Sequence, residues 1–164
     1  MVAFKTLIFT ILMPGTVGGL LPWLLAHGAQ EPMPQVAPVR MVTGLLLLLL
    51  GVGLYLWCAG AFTFIGRGTP APIDAPKALV VQGAYRWVRN PMYVAVLSVI
   101  LGQALVFGSS LLIGYALLFW VIVHTFVIFV EEPSLREQFG SSYDDYLHRV
   151  PRWIPRAPGS THEA

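Results

Sequence analysis

The sequence predicts an all-α protein, a multi-pass membrane helical bundle with about four transmembrane helices and short cytoplasmic C-terminal helices. Three observations carry this prediction. The 164 residues are 56% hydrophobic and only 11% charged, with a mean hydropathy of +0.70, whereas a soluble domain presents roughly 25% charged residues to water. From Asn90 to Val130 there is no Asp, Glu, Lys or Arg, and charge returns as the pair Glu131-Glu132. The basic residues are also lopsided. With four spans, Lys5, Arg67, Lys77, Arg86, Arg89, Arg136, Arg149, Arg152 and Arg156 fall on one side and Arg40 alone on the other. Basic loops stay in the cytoplasm, so both termini are expected there, in the inner or plasma membrane if the source is bacterial.

Taken in order, the first span covers about residues 6–26, interrupted by Pro14, Gly15, Gly18, Gly19 and Pro22, which membrane helices tolerate. Lys5 before an apolar stretch also suits a secretory signal, but the stretch continues through Trp23-Leu24-Leu25. That is long for a signal core, so retention as a first helix is expected. The second span is about 41–65 and contains a run of leucines. The third and fourth share the long uncharged run, with Gly108-Ser109-Ser110 as its turn. That yields about 91–107 and 111–130, a tight hairpin, against the ~20 helical residues a bilayer core needs. Asn90-Pro91 is a natural start for the third helix, with Asn as cap and Pro at the first position.

Two further stretches are expected in the cytoplasm. Residues 66–90 open with a proline-rich segment, unfit for helix, followed by Ala78-Leu79-Val80-Val81 as a short extended piece. After the acidic pair, Pro133 suits the first turn of a short helix to about Phe139, capped by Gly140. Ser141, with Asp144 three residues on, suits the N-cap of a second helix to about Arg149. Val150-Pro151-Arg152-Trp153-Ile154-Pro155 is expected to lie extended along the membrane surface, with Trp153 at headgroup level. Residues beyond Pro158 read as a disordered tail. The chain thus divides into two N-terminal helices (1–65), a second region (66–156) and a tail (157–164).

Several chemistries are excluded. A net charge of +2 without a basic run offers no track for nucleic acid. Cys58 is the single cysteine, and His27, His124, His148 and His162 lack ligand spacing, so no metal site is expected. The chemistry-bearing residues gather at the two ends of the uncharged run. Glu131 and Glu132 are either a helix boundary at water or carboxylates that pair with a cationic ligand in a partly desolvated pocket. His124 lies about two helical turns before Glu131, on the same face of a regular helix. It suits an interhelical hydrogen bond or a catalytic base. Tyr85, Arg86, Arg89, Asn90 and Tyr93 cluster where the loop enters the third span.

The segment Gly83-Ala84-Tyr85-Arg86-Trp87-Val88-Arg89-Asn90-Pro91-Met92-Tyr93 resembles the G-x-Y-x-x-x-R-H-P-x-Y signature of the isoprenylcysteine carboxyl methyltransferase and phospholipid methyltransferase superfamily. A second block, Glu131-Glu132-Pro133-Ser134-Leu135 with Phe139-Gly140-Ser141-Ser142-Tyr143 through Tyr146 and Val150-Pro151-Arg152, is similar to its E-E-x-x-L…F-G-x-x-Y-x-x-Y…V-P-R element. Both blocks and the hairpin between them cover about residues 66–156. The resemblance implies an integral membrane methyltransferase that uses S-adenosyl-L-methionine without a Rossmann domain and acts on a lipophilic small molecule or lipid, whether amine, thiol or carboxylate. It places the cofactor against Lys77, Ala78, Leu79 and Val80, with Tyr85, Asn90, Pro91, Tyr93, Glu131 and Glu132 in the motif positions. His124, Arg89 and Asn90 are the candidates for catalysis. Two positions depart from the pattern. Asn90 replaces the motif histidine, and Val127 stands where the eukaryotic carboxyl methyltransferases carry an arginine suited to a substrate carboxylate. A non-catalytic membrane scaffold or accessory protein with the same fold is the alternative reading, and an oligomeric transporter a third.

Overall fold

The computed structural model describes residues 2–28, 37–66 and 78–157. Helix α1 (Val2–Leu12), a π turn (Thr16–Leu20) and α2 (Leu21–Gly28) form one apolar rod of 27 residues. Helix α3 (Pro38–Phe64) is equally long. A 3₁₀ turn (Gly83–Arg86) leads into α4 (Pro91–Phe107), and α5 (Ser110–Phe126) returns antiparallel to it. A second π turn (Val127–Glu131) joins α5 to α6 (Glu132–Phe139), followed by α7 (Ser141–Arg149). Three rods, Val2–Gly28, Pro38–Phe64 and Ser110–Phe139, are long and apolar enough to cross a membrane. Helix α4 is shorter at 17 residues, the lower limit of the ~17–25 that span a bilayer core.

In lipid, apolar side chains gain nothing by leaving one hydrocarbon for another, so helices associate through close packing and hydrogen bonds. Both are present. Helices α3 and α4 run antiparallel with small residues facing across the seam. A Cβ added at Gly44 would come within 2.9 Å of the Gly102 carbonyl oxygen, one at Gly102 within 2.8 Å of the Gly44 oxygen, and one at Gly51 within 2.8 Å of the Ala95 oxygen. Around this seam Tyr55, Ala59, Ala95, Val96, Ile100 and Ala116 form the buried core. Helix α1 is tied to α3 by hydroxyl bonds, Thr63 Oγ1 to Thr6 Oγ1 (3.0 Å) and Thr10 Oγ1 with Tyr55 OH (3.1 Å). At the far end, Arg40 Nε donates to the Leu105 carbonyl at 3.1 Å.

The first π turn has its own partners. Leu21 N–H reaches back five residues to the Thr16 carbonyl. The carbonyl of Gly18 accepts from buried Gln103 Nε2 at 2.6 Å, and that of Val17 from Tyr115 OH at 2.8 Å. A wide turn loosens the backbone ladder, and two side chains from α4 and α5 satisfy what it frees.

The hairpin turn falls where expected: Gly108 has φ 69°, and Ser109 Oγ accepts from the Leu112 N–H. Asn90 does precede α4, but its side chain makes no cap bond. Three expectations change. The helix of the fourth span does not break at the acidic pair; it runs on through the π turn to Phe139. Pro133 lacks an N–H and crowds the carbonyl four residues back, and the widened turn before it, with Glu132 N–H bonded to Val127 O, accommodates the ring. The N-cap of α7 is Gly140, not Ser141. Its φ of 54° and ψ of −133° suit only glycine, and Asp144 instead pairs with Arg136 Nε at 2.8 Å. Finally, the segment after Arg149 is docked on protein. Arg89 N–H donates to Pro151 O and Arg156 N–H to Trp87 O, both at 2.9 Å.

Candidate active site

The docked segment, a strap over residues 150–156, brings the two ends of the uncharged run together. Arg89 ends the loop before α4, Glu132 begins α6, and Arg152 lies on the strap. Arg89 Nη1 donates to Glu132 Oε1 at 2.9 Å. Arg152 adds two bonds, Nε to Oε1 at 2.7 Å and Nη2 to Oε2 at 3.0 Å. The side chains of Glu132 and Arg89 are each 12% exposed. A carboxylate in so little water needs its lone pairs filled, and the three donors fill them. Glu132 is therefore the knot of a lock that ties α4, α6 and the strap. Its hydrogen bonds hold the Arg152 guanidinium charged, raising its pKa above the ordinary value. Asn90 completes the lock by donating Nδ2 to the Arg152 carbonyl at 3.2 Å, which explains why it does not cap α4. Arg89 Nε is buried and has no partner among the described residues.

Glu131 is differently placed. Its Oε2 accepts from Tyr93 OH at 2.9 Å, and Tyr93 is also part of the wall of a cavity of about 180 Å³. Tyr93, Val94 and Leu97 of α4 face Phe119, Trp120 and Val123 of α5 across it, and Trp153 of the strap completes the lining. None of these side chains is cationic. Trp153 is itself held, its Nε1 donating to His124 Nδ1 at 2.9 Å, while His124 stacks on Trp120 with centroids 4.9 Å apart. The π turn between His124 and Glu131 breaks the regular two-turn spacing, and the two residues take separate partners, Trp153 and Tyr93.

Beneath the lock lies a tyrosine layer. Tyr146 OH donates to the Tyr85 carbonyl at 2.7 Å, pinning the 3₁₀ turn. Tyr143, Tyr146 and Val150 are buried together with Leu79 packed against them, and Tyr85 and Val80 are buried with Cys58. Burial pushes the Tyr143 phenol up to about 12, with the Glu132 charge adding to the rise and Arg89 opposing it. Burial also raises Tyr146 and Tyr85, and at Tyr85 neighbouring Cys58 adds to the effect.

Of the residues expected at the site, Arg89, Asn90, Tyr93, Glu131 and Glu132 thus meet at one end of the bundle. Leu79, Val80 and Tyr85 form the layer behind, Pro91 is the buried first residue of α4, and Ala78 is exposed. Lys77 lies outside the described residues, as does most of the proline-rich segment. The site residues not singled out from the sequence are Arg152, Trp153, Tyr143 and Tyr146. Val-Pro-Arg and the paired tyrosines stood in the second motif block, so their signal was present, but nothing in a linear pattern pairs Arg152 with Glu132.

Comparison with known proteins shows the family. Residues 39–142, well over half of the chain, match the phospholipid methyltransferase family. The chain is 36% identical over 83 residues to a protein-S-isoprenylcysteine O-methyltransferase of Schizosaccharomyces pombe, covering 49% of this chain and 34% of that protein. It is 34% identical over 87 residues to the protein of that name from Tribolium castaneum (52% and 31%), and 37% identical over 82 residues to that from Xenopus laevis (49% and 28%). The chain therefore spans about a third of the length of these relatives. No solved structure matches it.

Proposed function

Because the chain belongs to the phospholipid methyltransferase family, we propose that it is an integral membrane methyltransferase that moves a methyl group from S-adenosyl-L-methionine to a lipophilic acceptor. The observation that carries the reading is the Tyr93–Glu131 pair, which borders an apolar, aromatic cavity next to the charged lock. The cofactor bears a sulfonium, an ammonium and a carboxylate. The residues present suit it: the Glu131 carboxylate and the ring of Tyr93 favour cationic groups, and the orphaned Arg89 Nε–H suits an anionic one. When bound, the cofactor supplies a methyl group on positive sulfur, ready for in-line displacement.

What the chain then contributes is placement and dryness. Tyr93 orients Glu131, the lock holds the loop before α4 against α6, and the aromatic lining keeps water from competing as a nucleophile. Arg89, Asn90 and His124 are each held by structural partners, so none is assigned as a base. The acceptor is a nucleophile on an apolar body, an unprotonated amine or a thiol that gives up its proton. Val127, 1% exposed, is no partner for a substrate carboxylate. The site is placed at the cytoplasmic face, where a water-soluble cofactor meets a lipid-dissolved acceptor.

Calorimetry on purified protein tests this. Wild type binds S-adenosylmethionine, and Glu131→Gln weakens binding by about tenfold, the worth of one charged contact of ~1.4 kcal/mol. Folded wild-type protein that binds no cofactor overturns the reading. Binding without transfer of labelled methyl to any component of a membrane extract favours the scaffold reading instead, which the structural engagement of Arg89, Asn90 and His124 also suits.

A further inference from the structure

The α4–α5 cavity has an apolar floor and a single wall from outside the hairpin. Leu97 and Phe119 lie deeper along their helices, while Tyr93 and Val123 lie nearer the basic end, at the level of the strap. The indole of Trp153 closes the lining at that end and is fixed from two sides. Its N–H is spent on His124 Nδ1 at 2.9 Å, and the strap on which it sits is held by Arg152–Glu132, by Asn90 and by the backbone bonds of Arg89 and Arg156. His124 in turn stacks on Trp120, another lining residue. Because an indole N–H only donates, His124 Nδ1 is the acceptor of this bond and the ring hydrogen sits on Nε2. At about 180 Å³, the cavity is smaller than the ~300–1,000 Å³ of pockets that enclose a whole drug-sized ligand. It admits the end of a molecule, not its length.

We infer that Trp153, positioned by His124, is the specificity-determining wall of the acceptor cavity: it seals the cavity from water at the basic end, so that hydrophilic nucleophiles are refused and the apolar end of an acceptor enters between α4 and α5. The identity of what enters rests on the methyltransferase reading above; the wall does not. The pair is built for the task. An indole covers more area than any other side chain, and a hydrogen bond to a ring that is itself stacked leaves it few alternative rotamers.

The wall is tested by cysteine accessibility in liposomes, with Leu97→Cys at the cavity floor and Cys58, 1% exposed on α3, as internal control. A sulfonated, membrane-impermeant maleimide is applied and each labelled site read by mass spectrometry. Trp153→Ala raises labelling at position 97 by more than about tenfold, and His124→Phe, which keeps the stacking but removes the acceptor, raises it about three- to tenfold, the worth of one hydrogen bond in a local opening. Cys58 labelling stays unchanged in both. Equal labelling of position 97 in all backgrounds, or a parallel rise at Cys58, overturns the inference. In the same preparations Trp153→Ala gains methyl transfer to cysteamine, a small hydrophilic thiol that wild type refuses. Cofactor binding by wild type is measured alongside, so failure of the methyltransferase reading shows there and failure of the wall shows in the labelling.

Discussion

Glu132 takes part in three hydrogen bonds with two arginines, and its removal leaves both cations facing each other near a low-dielectric interface. Breaking one side of such a buried pair costs about 3 kcal/mol, so Glu132→Ala lowers the unfolding midpoint in detergent far more than Arg136→Ala, whose pair with Asp144 is half exposed. Comparable midpoints for the two variants contradict the lock. The buried tyrosines make a second prediction at this scale. Tyr85, Tyr143 and Tyr146 all ionise above their ordinary value of 10.0, Tyr143 at about 12. A raised phenol holds its proton more tightly folded than unfolded, so it contributes its full stability below about pH 10 and loses it as pH rises through the folded value. Thermal unfolding followed from pH 8 to 12 is therefore flat at first and then falls, and Tyr143→Phe softens the fall.

At the scale of elements, the α3–α4 seam depends on backbone approach. Gly102 has a carbonyl oxygen 2.8 Å from where a Cβ would stand, whereas Gly53 on α3 has open space around it. Gly102→Ala forces the helices apart and costs about 1–3 kcal/mol, while Gly53→Ala is neutral or stabilising by up to ~1 kcal/mol. Denaturant titration in mixed micelles separates the two, and equal costs mean the seam is not close-packed. The two π turns are also legible at this scale. One is met by Gln103 and Tyr115, the other lets Pro133 follow a membrane helix without ending it.

At the scale of the whole molecule, the bundle presents its lock, cavity and strap at one end, the end carrying most of the basic residues, while Arg40 binds Leu105 at the other. Both termini are proposed to lie in the cytoplasm with the site. A green fluorescent protein fused after Ala164 is then fluorescent, and a periplasm-dependent alkaline phosphatase at the same place is inactive. The converse pattern inverts the proposed topology and puts the site out of reach of a cytoplasmic cofactor.

The sequence by itself located the apolar helices, though not the end of the last one, because hydrophobic length and turn residues are local properties: the Gly108–Ser109 turn and Gly140 sit where composition puts them. It also marked Tyr93, Glu131 and Glu132 through motif spacing, and located charge at both ends of an uncharged run. What it left undecided were the partners. Whether Glu132 meets a ligand or two arginines, whether His124 faces a substrate or an indole, and whether residues 150–156 lie on lipid or on protein all depend on contacts between segments distant in the chain. Hydrogen bonds are directional and short, so only the tertiary arrangement assigns them.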